Sequence, residues 1–570
     1  MNVSRLRRFV PLLVLMAFVV ALVITIAPAS AAPVPFSNQF PIQILAVNDF
    51  HGNLEPGSLT FTLPDGSRVP TGGVEYLATH IKQLAAQNPR DTVIVSAGDT
   101  IGATPLLSAL FHDEPSIEAF NDMGVDFNAV GNHEFDEGLN ELLRMQRGGC
   151  HPVDGCQDGD GFAGADFRYL AANVFYEGTN RTILPAFRVR TFPHGIRIAF
   201  IGMTLEATPT IVTPSGVAGL EFRDEADTVN RLVGQLRRQG IRNIVVLIHE
   251  GGFPSMGGLY NECPGVSGPI VDIVERTDQE VDLFVTGHTH QAYNCVIDDR
   301  VVTSASSFGR ALSKIDVIVG RQTGLIQSVT ANNMLVTRDV APDATMTSLI
   351  AKYNAIAAPL ANRIIGQITA DILRAANTAG ESALGDVIAD AQLDATNDPG
   401  FGDAVVAFMN PGGIRADLTY VGSAAGEGDG NVTYGESFTV QPFGNSLVTM
   451  TLTGEQIDML LEQQFDNPAV GQNRILQISD GFTYSWSLSA PKGSKVDIAG
   501  IMIGGVPIDP AASYRVTVNS FLADGGDNFT VLRSGTDRLG GAVDTDALED
   551  YFTANSPVAP GPMNRITQLP

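Results

Sequence analysis

The chain is poor in several things, and each scarcity narrows what it can be. Lys and Arg together number 35 against 62 Asp and Glu, a formal net charge of −27. No broad basic surface survives that excess, so a non-specific nucleic-acid binder is excluded as the expected role, while a small phosphate-bearing substrate is not. Cysteines number four in 570 residues and lack the paired C-x-x-C spacing of a structural zinc cluster. There is one Trp. Only one apolar run has membrane-spanning length, Phe9 to Ile26, and it stands at the N-terminus.

That run is preceded by Arg5, Arg7 and Arg8 and followed by APASAA. A positive segment, an apolar segment and small residues in this order make an export signal over 1–32, with cleavage expected after Ala31 or Ala32. An uncleaved anchor is the alternative. Removal of the three arginines takes the charge from −27 to −30. Export makes disulfides plausible. Of the three possible pairings, Cys150–Cys156, flanking a short Gly- and Asp-containing loop, with Cys263–Cys295 is favoured.

At this length two or more domains are expected. Residues 40–340 alternate apolar strand-like runs (42–47, 92–96, 127–130, 169–174, 197–202, 243–248, 282–286, 300–303) with helical patterns at 74–87, 115–123 and 224–239. That is the rhythm of an α/β domain. Residues 343–365 read as a connecting helix capped by Asp343. Residues 366–566 read as a second α/β unit, with helices near 382–396 and 454–465 and strands near 404–409, 446–452 and 514–518. The stretch 421–430 (VGSAAGEGDG) reads as a flexible surface loop.

The strand ends carry the chemistry. IQILAV runs into Asn48-Asp49-Phe50-His51-Gly52, VIVSA into Gly98-Asp99, and FNAV into Gly131-Asn132-His133-Glu134-Phe135-Asp136. IVVLI ends in His249-Glu250-Gly251-Gly252 and LFVT in Gly287-His288-Thr289-His290. Ligands of open α/β sheets bind outside the carboxyl ends of strands. One such turn means little, but five at the same structural place do not arise as caps and turns. Their oxygen and imidazole donors suit divalent ions, and they are too many for one ion. Two ions roughly 3.5–4 Å apart, sharing a carboxylate, would use them.

In order, these five blocks resemble the motifs of the calcineurin-like metallophosphoesterases. More closely, the chain resembles the exported 5′-nucleotidase and UDP-sugar hydrolase family from about residue 40 to its C-terminus. The resemblance implies an N-terminal layered α/β/β/α metallophosphoesterase domain joined by a helix to a C-terminal α/β substrate-binding domain. It implies that Asp49, His51, Asp99 and His290 hold a first metal, that Asp99 bridges, and that Asn132, His249 and His288 complete a second. Zn or Mn is expected, with Mg and Co as alternatives. Asp136 would orient His133 as a dyad; the plainer alternative is that Asp136 caps the helix beginning near Leu139. Activity would be hydrolysis of nucleoside 5′-monophosphates by a hydroxide bridging the two ions.

In the C-terminal unit, NPGGIR (410–415), QPFGN (441–445) and SFLADGGDNF (520–529) are Gly-rich turns after strand-like runs. The resemblance implies that Phe443 and Phe521 sandwich the base and Asp527 accepts ribose hydroxyls. It further implies that Asn410 and Asn445 bond base edges and that Arg415 pairs with phosphate. The sequence departs from the family where relatives place an extra phosphate-binding arginine: 377–380 has none, and Arg374 is out of register. That leaves open UDP-sugars, nucleoside di- or triphosphates and 2′,3′-cyclic nucleotides as substrates, and a non-catalytic nucleotide-binding surface protein as the remote alternative. The expected partner is the nucleotide substrate alone, without nucleic acid or stable membrane insertion after signal cleavage. Rotation of the two domains about the 343–365 helix is a further expectation.

Overall fold

A computed structural model describes residues 38–570, apart from positions 58, 64, 213, 256–258, 401 and 423–425. The expected export signal at 1–32 lies outside the described residues, as do positions 423–425 of the expected surface loop. Among the described residues no helix is long and apolar enough to cross a membrane.

The first part is two six-stranded sheets packed face to face. One runs in the order Ile326–Leu335, Ala311–Gly320, Gln39–Val47, Thr92–Ser96, Phe127–Ala129, Arg168–Leu170. The other runs Ala292–Ile297, Arg300–Ala305, Leu283–Thr286, Asn243–His249, Arg197–Thr204, Phe187–Thr191. The four-strand stretches from Gln39–Val47 to Arg168–Leu170 and from Arg300–Ala305 to Arg197–Thr204 are parallel. Parallel strands put their carboxyl ends on one edge, and that edge collects the motif loops.

Alternation along each strand builds the layers. Ile44 and Ala46 face Phe200, Val245 and Leu247 of the second sheet, forming a dry interior. Leu45 and Val47 point the other way, into helices Val74–Ala85, Glu114–Met123 and Leu139–Arg147. On the opposite outer face Ala199, Ile201, Val246 and Ile248 bury Val229, Leu232 and Val233 of helix Glu225–Arg238. The result is the expected α/β/β/α layering.

The connecting helix spans Ala344–Ala361, with the Asp343 side chain accepting from the amides of Thr345 and Met346. It ends four residues short of the expectation. Pro359 stands in its last turn, and Ile364–Gln367 leaves the helix to pair as a strand with Asn431–Thr433. Met346, Tyr353 and Ala357 bury the helix against the first part. The expected strand 169–174 is also two pieces, Arg168–Leu170 and Val174–Tyr176, because Val174–Tyr176 pairs with Leu220–Phe222 in a separate ribbon. Both expected disulfides, Cys150–Cys156 and Cys263–Cys295, are present.

The C-terminal part carries a five-stranded sheet, ordered Gln477–Ile478, Val406–Met409, Ser513–Asn519, Ser446–Thr453, Thr536–Val543. Helices Ala383–Asp394 and Asp544–Asn555 share one core, and helix Gly454–Glu462 packs into another. The turns 410–415 and 520–529 leave strands of this sheet as expected, whereas 441–445 follows a helix, Tyr434–Val440, and leads into strand Ser446–Thr453. The 441–445 turn reaches the metal-type loops, since the His133 and Phe443 rings stack at 5.8 Å between centroids and 19° between planes.

Candidate active site

Seven side chains from five strand ends meet at the carboxyl edge. Donor atoms of Asp49, His51 and His290 form one cluster and those of Asp99, His249 and His288 another, each within 4.8 Å. Asp99 lies between them: its Oδ2 is 2.9 Å from His249 Nε2 and 3.7 Å from His51 Nε2. Asn132 Oδ1 is 3.0 Å from His288 Nδ1, which puts the asparagine in the second cluster.

The backbone is bent to achieve this. Asp49, His51, Asp99, His288 and His290 have φ of 49°, 46°, 49°, 67° and 56°. Non-glycine residues there cost about 1–3 kcal/mol each and persist only where the surroundings over-determine them. Glycine clears the space: a Cβ on Gly131 would stand 2.2 Å from Asp99 Oδ1, and one on Gly98 2.7 Å from His249 Nδ1.

The donor set fits cations. His51 Nδ1 bonds the Gly102 carbonyl at 2.8 Å and His249 Nδ1 the Ala97 carbonyl at 2.8 Å, so each ring spends its N–H there and turns Nε2 inward. His51 Nε2 then meets His290 Nε2 at 3.1 Å. His249 Nε2 is buried without a well-directed hydrogen bond despite its closeness to Asp99. Burial holds the His51 and His288 rings neutral, with pKa values lowered to about 3. Burial raises the Asp99 carboxyl, but the His249, His133 and His51 rings outweigh it and hold it well below the usual range. Burial likewise opposes charging of His249, yet Asp99, Asp49 and Glu134 take it up to about 10. A buried imidazole nitrogen left without a well-directed hydrogen bond and facing a carboxylate is a donor set that a divalent ion would satisfy.

Asp136 Oδ2 accepts from His133 Nδ1 at 2.8 Å. It does not cap the following helix, whose N-cap is Gly138. Burial opposes the charged form of His133, while Asp136 and Asp99 prevail and raise its pKa.

A cavity of about 190 Å³ joins this centre to the C-terminal turns; it is lined by Asn132, His133 and His288 on one side and Arg415, Phe443 and Phe521 on the other. Gly526 underlies the Phe521 ring so closely that a Cβ would stand 2.5 Å from it. Arg415 stands over the Phe443 ring, 5.9 Å from its centroid. Asn410, Asn445 and Asp527 also line the cavity. The Asn410 amide is already engaged, donating to Asp527 Oδ2 at 2.9 Å and accepting from Asn519 Nδ2 at 3.0 Å. Asn445 Oδ1 accepts from Ser520 Oγ at 3.1 Å. Arg374 is not among the lining residues; it donates to the Ile414 carbonyl at 3.3 Å.

Two residues of the site carry no signal in the strand-end pattern. Glu134, inside the 131–136 block, is buried and accepts from the amides of Asp99, Thr100 and Gly131 at 3.0, 2.8 and 2.6 Å, tying two metal-type loops together. Burial, then the Asp99 charge, push its carboxyl up to about 8. Arg474 lines the cavity and pairs with Asp527. A third residue that the sequence reading passed over is Asn48, immediately before Asp49: its Nδ2 donates to Asp49 Oδ2 at 2.6 Å.

Comparison with known proteins gives two family matches, calcineurin-like phosphoesterase over residues 42–292 and 5′-nucleotidase, C-terminal domain over residues 364–534. Endonuclease YhcR of Bacillus subtilis is 31% identical over 91% of this chain and 40% of its own length. Cell wall protein Lmo0130 of Listeria monocytogenes is 32% identical over 89% of this chain and 66% of its own length. The chain thus spans less than two thirds of either relative. A 5′-nucleotidase precursor from Thermus thermophilus superposes with a TM-score of 0.73 at 27% identity, covering 93% of this chain and 99% of that one.

Proposed function

The chain belongs to the calcineurin-like phosphoesterases that carry a 5′-nucleotidase C-terminal domain; from that premise we propose that it is a metal-dependent phosphoesterase and, more narrowly, an exported 5′-nucleotidase, converting nucleoside 5′-monophosphates to nucleoside and phosphate. One observation carries the reading. Asn132 and His288 of the donor set, with His133, line one cavity together with Phe443 and Phe521, which supports a phosphate held beside the first group and a flat base beside the second. Export is supported by the N-terminal apolar run, the two disulfides and the relative named a cell wall protein.

We assign Asp49, His51 and His290 to one divalent ion, Asn132, His249 and His288 to a second, and Asp99 to both; Zn²⁺ or Mn²⁺ suits these donors. Bound there, such ions offset phosphoryl charge and make a nucleophile available from water near neutral pH. The chain's own groups do the positioning. Glu134 and Asn48 hold the carboxylate-bearing loops in place. His133, with Nδ1–H given to Asp136, is held in one orientation and favours the charged form, so its Nε2–H serves the phosphoryl oxygens or the leaving oxygen. Arg415, at the cavity wall, pairs with the phosphate. Phe443 and Phe521 grip the base, and Asp527 takes the ribose hydroxyls.

Hydrolysis of AMP, ATP, UDP-glucose and 2′,3′-cyclic AMP, each with and without EDTA and followed by chromatography of the products alongside phosphate release, tests the reading, with a single-stranded oligonucleotide as a fifth substrate. Metal-dependent release from AMP is expected to be fastest. Cleavage of the oligonucleotide in preference to AMP would overturn it.

A further inference from the structure

Arg474 belongs to no motif. It follows the 466–473 loop, where its backbone N–H donates to the Gln464 carbonyl at 2.8 Å. Its side chain, 23% exposed, lines the same cavity as Phe443 and Phe521. Arg474 Nη1 stands 3.0 Å from Asp527 Oδ1. From the other side Asn410 Nδ2 donates to Asp527 Oδ2 at 2.9 Å. Asn467, in the same loop as Arg474, donates to the Asp527 carbonyl at 2.7 Å. Asp527 is itself left-handed, φ 54°, so its carboxylate leaves the turn in a direction the backbone does not ordinarily offer.

The consequence is a carboxylate clamped at both oxygens, once by a neutral amide and once by a cation. An ionised carboxylate offers about four lone-pair sites, two on each oxygen. The Asn410 amide occupies one site on Oδ2, while the Arg474 guanidinium, which donates to Asn467 Oδ1 at 3.5 Å, lies against Oδ1 as an ion pair, so each oxygen keeps an acceptor site. Two free acceptor sites on neighbouring oxygens match a vicinal diol, whose two O–H groups stand side by side. Arg474 also offsets the charge of Asp527, which would otherwise confront a substrate that brings its own negative phosphate into a strongly acidic protein.

We propose that Arg474 is a specificity-determining positioning residue: by clamping Asp527 it sets the preference of the site for sugars with a free cis-diol, hence for ribonucleotides over nucleotides lacking the 2′- and 3′-hydroxyls. The inference rests on the nucleotidase reading and adds to it the sugar that is read and the residue that makes the reading possible.

Steady-state phosphate release from AMP and from 2′,3′-dideoxy-AMP is measured for the wild type, R474A, D527N and the double variant, with melting temperature and metal content recorded for each. The wild type is expected to favour AMP in kcat/KM. R474A is expected to lose about ten- to a hundredfold of that preference, chiefly through the KM for AMP. D527N should lose a similar factor, and the double variant should lose no more than the larger single loss, as residues acting in one unit do. If R474A melts abnormally, R474Q takes its place under the same criteria. A wild type that hydrolyses both nucleotides equally well overturns the inference, as does an R474A preference unchanged while D527N loses it; the nucleotidase reading survives both. A wild type that releases phosphate from neither nucleotide ends the reading and the inference together.

Discussion

His51 and His290 face each other nitrogen to nitrogen, 3.1 Å between their Nε2 atoms, with the His51 N–H already given to the Gly102 carbonyl. The His51 Nε2 lone pair thus points at the second imidazole, an arrangement that a shared cation would serve. Dialysis against EDTA is therefore expected to abolish phosphate release, and Zn²⁺ or Mn²⁺ to restore it. His51→Ala should lower activity by at least about 100-fold and reduce bound metal from two ions per chain towards one, read by elemental analysis.

Glu134 makes a second prediction. Its one buried carboxylate accepts three backbone amides from the loops that carry Asp99 and Asn132. In Glu134→Gln an amide NH₂ faces donors it cannot bond. Metal affinity should weaken by about 10–100-fold and thermal melting should fall, although Glu134 touches no substrate. Unchanged metal affinity in a folded variant would remove its assigned role.

The base slot is tested at Phe443. Its ring stacks on His133 across the cavity and lies beneath Arg415. Loss of one base-stacking face costs about 1–3 kcal/mol, so Phe443→Ala should raise the KM for AMP by about five- to a hundredfold with a smaller effect on kcat. The KM for inorganic-phosphate esters without a base should move much less; an equal rise for both would refute stacking as the cause.

A pH dependence of stability arises away from the centre. His112 lies between Glu137 and Asp154, each at 2.9 Å. The bond to Glu137 raises its pKa, burial opposes, and the remaining acidic groups carry it up to about 9. A histidine raised on folding adds stability that is fully present below its unfolded value of about 6.5 and is lost as pH rises through about 9. The melting difference between wild type and His112→Gln should shrink as pH goes from 6 to 10. A difference independent of pH would refute the ion pairing.

The Cys263–Cys295 bridge closes a loop of sequence separation 32 and ties the segment after His249 to strand Ala292–Ile297. Its loss is expected to cost about 2–4 kcal/mol in denaturant unfolding of a Cys263→Ser/Cys295→Ser variant.

Much of the centre was legible because its chemistry is contiguous with its scaffold. Asp49, Asp99, Asn132 and His288 each stand just beyond an apolar strand, so one rule of α/β sheets gathers them without coordinates. Arg474 obeys no such rule; it is a lone arginine in a polar loop, meaningful only because the fold lays it beside Asp527, 53 positions away. The strands Ala311–Gly320 and Ile326–Leu335 escaped notice for another reason. The second is an edge strand with exposed polar residues such as Gln327, Ser328 and Asn332, and an edge needs little hydrophobic pattern. The connecting helix was overrun because ANRII continues a helical composition, whereas pairing with Asn431–Thr433 decides the conformation of Ile364–Gln367.

The five left-handed residues have a consequence for transplantation. Detached from the two sheets, the loops bearing Asp49, His51, Asp99, His288 and His290 would relax into ordinary right-handed or extended shapes, and their donors would drift apart. The convergence of these donors is accordingly a property of the whole sandwich: it is inherited with the architecture or not at all, and a peptide copying its motifs would carry the letters without the word.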